Sequence, residues 1–476
     1  MMDYNDFIIQ TEFSHYSGHE IQRIGRSYQQ LIPNQSKRIG LHIDNSADWL
    51  AIDLMCHKSN RTLIPIPNFF NQDQVSHLIS SAEVQTLITQ DRSLLKKYGF
   101  SDNQDSLGDI FIGSIPFDQL SKGPCDLKDV QKITFTSGST GDPKGVCLSS
   151  RAQWQVATDL KLSLNRLKIK SHLTLLPFSI LLENVAGAYT SMALGNTNFV
   201  FSLKTLGFNG VSFDESKCID LIQKHQIESL ILLPQMLQQV TDFLIAKNIH
   251  LDSLKFVAVG GAKVPVDLIK KAKSTGLPVY EGYGLSECSS VVSVNLPQIE
   301  KVGTVGQLLA SRKVRIIDNE IEVFLDEGLR YFNGDTIPPS WFKTGDIGYF
   351  DNRFLVINGR KNNLLITSMG RNISPEWPES LLVNEKEISQ AMVTCENKPY
   401  LKALVVGAAG KSIYIPEAIA RVNKQLPSYS QINDYEIISI PFTFEDGTLT
   451  ANGRLRRAEI LKRTEQELNL YESEIV

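Results

Sequence analysis

Short, continuous apolar runs that end at proline or glycine recur along much of the chain, and helical stretches separate them. Arg38 to Ile43 is such a run. Asn45-Ser46 can then cap a helix over Ala47 to Lys58, and a strand over Thr62 to Ile64 stops at Pro65. This order is typical of a βαβ unit. Runs that are apolar throughout predict strands buried on both faces, so we expect an α/β fold of mostly parallel sheets flanked by helices.

The same pattern repeats further along the chain. Asn71 predicts the start of a second helix near Gln72 to Ser81, and a strand near Val84 to Thr89 follows it. In the middle of the chain, the helical stretch Gln235 to Ala246 lies among three more apolar runs, which are Leu173 to Leu176, Ser229 to Leu233 and Phe256 to Val259.

The character of the sequence changes near residue 305. Asp318-Asn319 and Asp351-Asn352 each lie between two strand-like runs and predict hairpins, so we expect a small antiparallel β subdomain over residues 305–358. A shorter α+β region follows, with strands near Leu364 to Thr367 and Leu401 to Val406 and a helix near Glu417 to Gln425. We therefore predict a large N-terminal domain over residues 1–360 and a smaller, mobile α+β C-terminal domain over residues 361–476.

The composition argues against several classes of protein. The net charge of the 476 residues is −4 and no basic block occurs, which disfavours a nucleic-acid binding track. None of the six cysteines forms a C-x-x-C pair, so metal-ligand and redox spacings are absent, and reduced thiols are the simplest interpretation. The sequence shows neither a signal peptide nor an apolar run of about 18 residues. We expect a cytoplasmic protein without a membrane span.

A loop rich in glycine and hydroxyl groups follows the strand-like run Lys132 to Phe135. Its small and polar residues are Thr136, Ser137, Gly138, Ser139, Thr140 and Gly141. Lys144 adds a positive charge. Glycines allow several amide N–H groups to point at one anion, so the segment predicts a phosphate-binding loop. It is not a Walker A loop, because Gly145 follows Lys144 where that motif requires serine or threonine.

The stretch Ile133 to Leu148, ITFTSGSTGDPKGVCL, resembles the signature loop of the adenylate-forming superfamily. That superfamily includes acyl-CoA synthetases, luciferases and the adenylation domains of peptide synthetases, and the chain looks most similar to the fatty acyl-CoA synthetases. The resemblance implies that the loop binds the β- and γ-phosphates of ATP. It also implies an AMP-forming ligase that activates a carboxylic acid, expected to be a fatty acid, to an acyl-adenylate and transfers the acyl group to CoA.

Further motifs resemble the nucleotide-binding elements of the same superfamily, and they occur in the same order. By this resemblance, Gly261 and Ala262 would lie along the adenine ring, and Tyr283 would stack on it. Asp346 and Arg360 would bind the ribose hydroxyls.

The element that carries Tyr283 also includes two expected phosphate-side residues. Gly282 and Gly284 flank the tyrosine. Ser286, which stands where threonine is usual, would reach the α-phosphate, and Glu287 would bind Mg²⁺, a cation that prefers carboxylate and phosphate oxygens.

The C-terminal region resembles the mobile part of these enzymes and departs from it at one position. Asn362 corresponds to the hinge, and Gly370 to the small residue beside the tunnel for the CoA or phosphopantetheine thiol. The motif Thr450 to Arg454 has arginine where the superfamily keeps a catalytic lysine. Arginine carries the same charge on a planar fork of donors. We expect Arg454 to act with Lys144 and Glu287 in catalysis.

The segment Leu176 to Asn184 resembles the wall of the acyl pocket. Ile180 stands where fatty acyl-CoA synthetases often have histidine, and Leu181 follows it. The segment has no aspartate of the kind with which peptide-synthetase domains pair the substrate amine. We therefore expect an acid without an amino group. All eight histidines lie at or before His250, outside the matched motifs, which argues against histidine-based catalysis.

Three alternatives remain open from the sequence. The acyl group could be loaded onto the phosphopantetheine of a carrier protein instead of CoA. The enzyme could also stop at the acyl-adenylate. Finally, Arg454 leaves open a non-catalytic protein that binds acyl groups or nucleotides.

Overall fold

The computed structural model describes residues 7–116, 127, 129–136, 144–208, 213–332, 334, 336–366, 372–395, 398, 400–443, 445–450 and 453–474. Its α-helices are α1 (Gly18–Leu31), α2 (Ala47–Lys58), α3 (Gln72–Ser81), α4 (Arg92–Lys97), α5 (Ser150–Leu164), α6 (Thr190–Leu194), α7 (Glu215–His225), α8 (Pro234–Lys247), α9 (Val266–Ser274), α10 (Glu376–Val383), α11 (Ile415–Asn423) and α12 (Arg457–Glu474). A π-helix spans Leu182–Tyr189. Short 3-10 helices span Asn165–Leu167, Ser286–Cys288, Lys361–Asn363, Ser412–Tyr414 and Ser428–Ser430.

The first sixteen strands are β1 (Ile8–Gln10), β2 (His15–Ser17), β3 (Arg38–His42), β4 (Thr62–Pro65), β5 (Thr86–Thr89), β6 (Ser101–Leu107), β7 (Ile110–Ser114), β8 (Val130–Thr136), β9 (Lys144–Ser149), β10 (Ser171–Thr174), β11 (Thr197–Val200), β12 (Ser229–Leu232), β13 (Phe256–Val259), β14 (Val279–Leu285), β15 (Ser290–Val294) and β16 (Gln307–Leu308) within the described residues. The later strands are β17 (Val314–Ile317), β18 (Glu320–Leu325), β19 (Leu329–Tyr331), β20 (Thr336–Ile337), β21 (Ser340–Asp351), β22 (Phe354–Arg360), β23 (Leu365–Ile366), β24 (Asn372–Ile373), β25 (Ile388–Thr394), β26 (Leu401–Gly407) and β27 (Ile432–Ile437).

Two large sheets form the core of the N-terminal part. Among the described residues each has nine strands, in the orders β20-β19-β9-β8-β4-β3-β5-β7-β6 and β16-β15-β14-β13-β12-β10-β11-β1-β2. The central strands of both sheets are parallel and the edges are antiparallel. The predicted α/β fold is confirmed.

Local sequence signals account for the early helices. The Ser46 side chain accepts a hydrogen bond from the amide of Trp49 and so caps α2. Asn71 and Gln74 form a reciprocal capping box at the start of α3. Two predicted strands have different bounds in the structure. The strand predicted from Val84 begins at Thr86, as β5, and the strand predicted to reach Leu176 ends at Thr174, as β10.

A small antiparallel sheet has the order β17-β18-β21-β22. The turn Asp318-Asn319 has positive φ at both residues, 48° and 63°, as a two-residue hairpin requires. The second hairpin turns one residue later than expected, because Asp351 is still part of β21. Strands β19 and β20 also lie within residues 305–358 but belong to the first large sheet, where β19 pairs with β9 and β20 pairs with β19.

The C-terminal part has its own sheet and core. Strands β25 and β26 are antiparallel, and β27 is parallel to β26. Leu382, Val405 and Ile419 belong to a buried cluster that joins α10 and α11 to this sheet. Among the described helices, none is both long and apolar enough to cross a membrane.

Candidate active site

The ends of β13 and β14 bring two glycine-containing segments into contact. A Cβ on Gly260 would lie 3.0 Å from the carbonyl oxygen of Gly282, a tight contact that glycine avoids. Gly261 has a φ of +85°, a conformation that favours glycine. The predicted adenine-side residues Gly261, Ala262 and Gly282 are therefore adjacent.

Tyr283, Asp346 and Arg360 form a hydrogen-bonded cluster. The Tyr283 hydroxyl donates to Asp346 Oδ2 at 2.6 Å, and Arg360 Nε donates to Asp346 Oδ1 at 2.9 Å. The β21–β22 hairpin sets Asp346 directly opposite Arg360. Burial, followed by the charge of Asp346, raises the pKa of Tyr283 well above its usual value. The phenol therefore stays protonated and remains a donor.

Glu287 lies in the 3-10 helix Ser286–Cys288, at a tight reversal between β14 and β15. A Cβ on Gly284 would lie 2.0 Å from the carbonyl oxygen of Ser290, so glycine is required at that position. Ser289 and Ser290 both have positive φ, 58° and 106°. This reversal, together with the β14–β15 pairing, fixes where Ser286 and Glu287 lie.

Tyr331 of β19 is a site residue that the sequence analysis missed. Its hydroxyl donates to Glu287 Oε1 at 3.3 Å, and Lys144 Nζ lies 6.0 Å from the centre of its ring. Tyr331 thus lies between two predicted catalytic residues. It belongs to no recognised motif, and only the pairing of β19 with β9 brings it here.

The phosphate loop is only partly described. Lys144 is exposed at the first position of β9, and Thr136 is the last residue of β8. Ser137, Gly138, Ser139, Thr140, Gly141 and the thiol-tunnel residue Gly370 lie outside the described residues. Their roles stay predictions.

Arg454 reaches across from the C-terminal part to the N-terminal part. Its Nε donates to the carbonyl oxygen of Gly261 at 2.7 Å, and its amide donates to Thr450 Oγ1 at 3.1 Å. Gly453, with a φ of +71°, turns the chain just before it.

The charges around Arg454 show which groups it faces. Desolvation by the surrounding protein and the charge of Arg360 lower the pKa of the guanidinium, whereas Asp346, Tyr283 and Glu287 raise it. The residue as a whole is still exposed. Arg454 therefore contacts the predicted adenine-side residue Gly261 and carries a charge that the predicted ribose and metal ligands influence.

The described residues offer no ready-made metal cage. No group of three or more His, Cys, Asp or Glu side chains lies together in the part of the chain that the structure describes. Mg²⁺ is often bound by one or two carboxylates plus substrate phosphates and water. The single carboxylate of Glu287 fits that mode.

The predicted acyl-pocket residues precede the π-helix. Ile180 is partly buried against one large core cluster, and Leu181 is buried in another that also contacts Tyr283. Leu182, Ala186 and Ala258 are partly buried and pack against both clusters. Tyr283 and these apolar side chains therefore pack against the same core cluster.

The predicted hinge residue lies at the junction between the two parts. Asn362 is exposed in the 3-10 helix Lys361–Asn363, directly after β22. Its neighbour Lys361 pairs with Glu320 at 2.8 Å, and Asn363 donates to Glu376 at 2.7 Å. Rotation about Asn362 stays a prediction.

Comparison with known protein families assigns both parts of the chain. The model of the AMP-binding enzyme family matches residues 19–328, and the model of the AMP-binding enzyme C-terminal domain matches residues 362–474. The chain belongs to the AMP-binding enzyme family. The family-level prediction of an adenylate-forming enzyme is confirmed.

Relatives within the AMP-binding enzyme family include ligases for different acids. A 2-succinylbenzoate–CoA ligase of Geobacillus kaustophilus is 27% identical over 303 residues, which cover 60% of this chain and 59% of the relative. A long-chain-fatty-acid–CoA ligase of Mycobacterium bovis is 29% identical over 251 residues, which cover 45% of this chain and 42% of the relative. The alignments thus span about half the length of these relatives.

A solved structure supports the fold over nearly the whole chain. The o-succinylbenzoate CoA synthetase of Bacillus subtilis, in complex with an acyl-adenylate intermediate, superposes with a TM-score of 0.76. The sequences are 21% identical, and 95% of each chain is covered.

Proposed function

We propose that the protein is an AMP-forming acid–CoA ligase. A carboxylate oxygen of the acid attacks the α-phosphorus of ATP, the new O–P bond forms and pyrophosphate leaves. The CoA thiol then attacks the acyl carbon, a C–S bond forms and AMP leaves. The observation that carries the proposal is the hydrogen bond from Arg454 to Gly261, because it sets a cation from the C-terminal part among the predicted nucleotide-binding residues.

The nucleoside would be bound by groups that are already positioned. Tyr283 offers its ring to adenine, while its hydroxyl anchors Asp346. Arg360 holds the other oxygen of the same carboxylate. A carboxylate fixed in this way can accept hydrogen bonds from both ribose hydroxyls with little loss of conformational entropy.

Arg454 would stabilise the charge that gathers as acid and ATP react. A guanidinium has five N–H donors, and the Nε–H that contacts Gly261 uses only one. The other four can bridge the substrate carboxylate and the α-phosphate, two anions that must approach each other. Lys144 and the hydroxyls of Thr136 and Ser286 would hold the phosphates.

Glu287 is the residue that would hold Mg²⁺. Mg²⁺ bound there would supply positive charge that offsets the charge of the phosphates. Tyr331 donates to Oε1 of Glu287 and so orients the carboxylate that would hold the ion. This arrangement supports the role of Tyr331 as a positioning residue.

The substrate acid would be apolar and would lack an amino group. Glu183, the carboxylate nearest to Leu181 along the chain, is fully buried. One of its oxygens contacts His172 Nε2 at 2.9 Å and the other accepts the Leu176 amide at 3.1 Å. It is therefore not available to pair with a substrate amine. Ile180, Leu182 and Ala186 leave an aliphatic surface for the acyl group.

Fatty acids are the first class to test and aryl acids the second, because relatives carry the names of both kinds of ligase. Release of pyrophosphate and AMP should be measured over a panel of fatty, aryl and amino acids, with CoA, with a phosphopantetheinylated carrier protein and with neither. We expect a thioester of CoA and an apolar acid. Faster turnover of an amino acid would contradict the pocket argument, and transfer only to the carrier protein would contradict CoA as acceptor.

Arg454 can be tested with a matched pair of variants. Arg454→Lys keeps the charge and restores the residue usual in related enzymes, whereas Arg454→Ala removes it. We expect Arg454→Ala to lower the adenylation rate by about 100-fold or more and Arg454→Lys to retain most of it. An unchanged rate in Arg454→Ala would remove this residue from the mechanism.

A further inference from the structure

A buried polar cluster lies next to the candidate acyl pocket and has no role in the proposed reaction. It consists of Asp53 in α2, Lys132 in β8, and Asn184 and Tyr189 in the π-helix, and we call it the Lys132 cluster. Asp53 and Asn184 are 0% exposed and Lys132 is 1% exposed. Burying an ammonium and a carboxylate is costly unless all their hydrogen bonds are made, so the completeness of these bonds matters.

The three N–H donors of Lys132 all have partners. Lys132 Nζ contacts Asp53 at 3.1 Å, the Tyr189 hydroxyl at 3.1 Å and the side-chain oxygen of Asn184. These three contacts use the three N–H donors of the lysine. Asp53 Oδ2 also accepts from the Tyr189 hydroxyl at 2.7 Å and from Asn184 Nδ2 at 3.0 Å.

The cluster continues through a histidine whose tautomer can be assigned. Tyr189 gives its one hydroxyl proton to Asp53, so at 2.6 Å it must accept from His57 Nε2. Burial lowers the pKa of His57 to about 3, so the ring is neutral. His57 Nδ1 then accepts from Ser150 Oγ at 2.6 Å, at the first residue of α5.

The π-helix carries side chains of the Lys132 cluster and side chains of the candidate acyl pocket. Asn184 and Tyr189 are five residues apart, and the wide turn of a π-helix sets such residues on one side. Leu182 and Ala186 pack instead against the two large core clusters, beside the candidate acyl-pocket residues Ile180 and Leu181. Lys132 is in β8, which ends at the predicted phosphate ligand Thr136.

We infer that Lys132, Asp53, Asn184 and Tyr189 are positioning residues that hold the acid-binding π-helix in fixed register with β8. Such a connection keeps the acid carboxylate aligned with the nucleotide phosphates, and misplacement of reacting groups by about 1 Å can lower rates about 100-fold. The inference rests on the proposed function for its role in turnover, but the mechanical link between the two elements can be measured without it.

Tyr189→Phe tests the role in turnover, because it removes one hydroxyl and keeps the ring that stacks on Trp154. Tyr28→Phe is the matched control: Tyr28 is equally buried, and its hydroxyl donates to Asp48 at 2.9 Å between α1 and α2. We expect Tyr189→Phe to lower kcat/KM for the acid about ten-fold, equivalent to about 1.4 kcal/mol. In the control Tyr28→Phe, kcat/KM should stay within about two-fold of the value for the unchanged protein. The decrease in Tm should be similar in both variants. Equal kinetic effects in both variants, or none in Tyr189→Phe, would overturn the role.

Hydrogen exchange tests the link itself and does not depend on turnover. In Tyr189→Phe, amide exchange should accelerate together in residues 182–189 and 130–136, by about ten-fold, and neither segment should change in Tyr28→Phe. Exchange that rises in the π-helix alone would overturn the inference. Absence of turnover in the unchanged protein would count against the proposed function only, since the exchange result stands by itself.

Discussion

Replacing Glu281 with glutamine should stabilise the protein by about 3 kcal/mol more at pH 8 than at pH 5.5. Glu281 is 7% exposed and immediately precedes Gly282. Burial raises the pKa of its carboxyl from 4.5 to about 8, against the opposing effects of the Val264 amide at 3.4 Å and the charge of Lys263. The side chain is therefore protonated in the folded protein at neutral pH and ionised in the unfolded chain.

The sign and size of the effect follow from this difference. The pKa of Glu281 is higher in the folded protein than in the unfolded chain, so protonation of this carboxyl stabilises the fold. This stabilisation is fully present below pH 4.5 and is lost as the pH rises towards 8. Within that window each pH unit lowers the free energy of unfolding by about 1.4 kcal/mol. From pH 5.5 to pH 8 the parent protein should lose about 3 kcal/mol that the Glu281→Gln variant keeps.

Urea unfolding at half-unit pH steps measures the difference in the free energy of unfolding between variant and parent. The contributions of the other titrating groups are the same in both proteins and cancel in this difference. Asp446→Asn is the control. Hydrogen bonds from the Thr448 side chain and amide outweigh desolvation and lower the pKa of Asp446, so its contribution changes only in acid. A Glu281→Gln difference that stays flat from pH 5.5 to pH 8 would show that Glu281 is ionised in the folded protein and would refute the argument.

Three further substitutions have defined expectations. Lys132→Met should reduce the free energy of unfolding by about 3–5 kcal/mol, because Asp53 is left as an unpaired buried charge, and the double variant Lys132→Met/Asp53→Leu should recover part of that loss in urea unfolding. Tyr331→Phe should raise the Mg²⁺ concentration for half-maximal pyrophosphate release about ten-fold, because the candidate magnesium ligand loses its orienting donor; an unchanged Mg²⁺ dependence would argue against this contact. Gly284→Ala should destabilise by about 3 kcal/mol, and more than Gly282→Ala, because its Cβ would lie 2.0 Å from a backbone oxygen rather than 3.2 Å; equal losses would contradict the steric argument.

The sequence was sufficient where structure depends on local signals. Ser46 and Asn71 mark the starts of α2 and α3 because capping is decided by a few neighbouring residues. The turn at Asp318-Asn319 follows from residues that tolerate positive φ. The parallel sheets could be predicted because strands that are apolar throughout alternate with helices along the chain.

Contacts between distant segments could not be read from the sequence. Tyr331 reaches Glu287 only because β19 leaves the small sheet and pairs with β9, and no local pattern indicates that pairing. Lys132 looks like an ordinary polar residue in a strand, yet its partner Asp53 is 79 residues away in the chain. The predicted nucleotide residues were easier to find because each lies in a short glycine-containing motif.

The most direct test of the central claim is the identity of the nucleotide product. The purified protein should be incubated with ATP labelled at the α-phosphate, Mg²⁺, CoA and an apolar acid, and the products separated. We expect labelled AMP and unlabelled pyrophosphate in equal amounts, formed only when the acid is present, together with one thioester for each AMP. Labelled ADP with inorganic phosphate, or no acid-dependent AMP with any acid of the panel, would contradict the central claim.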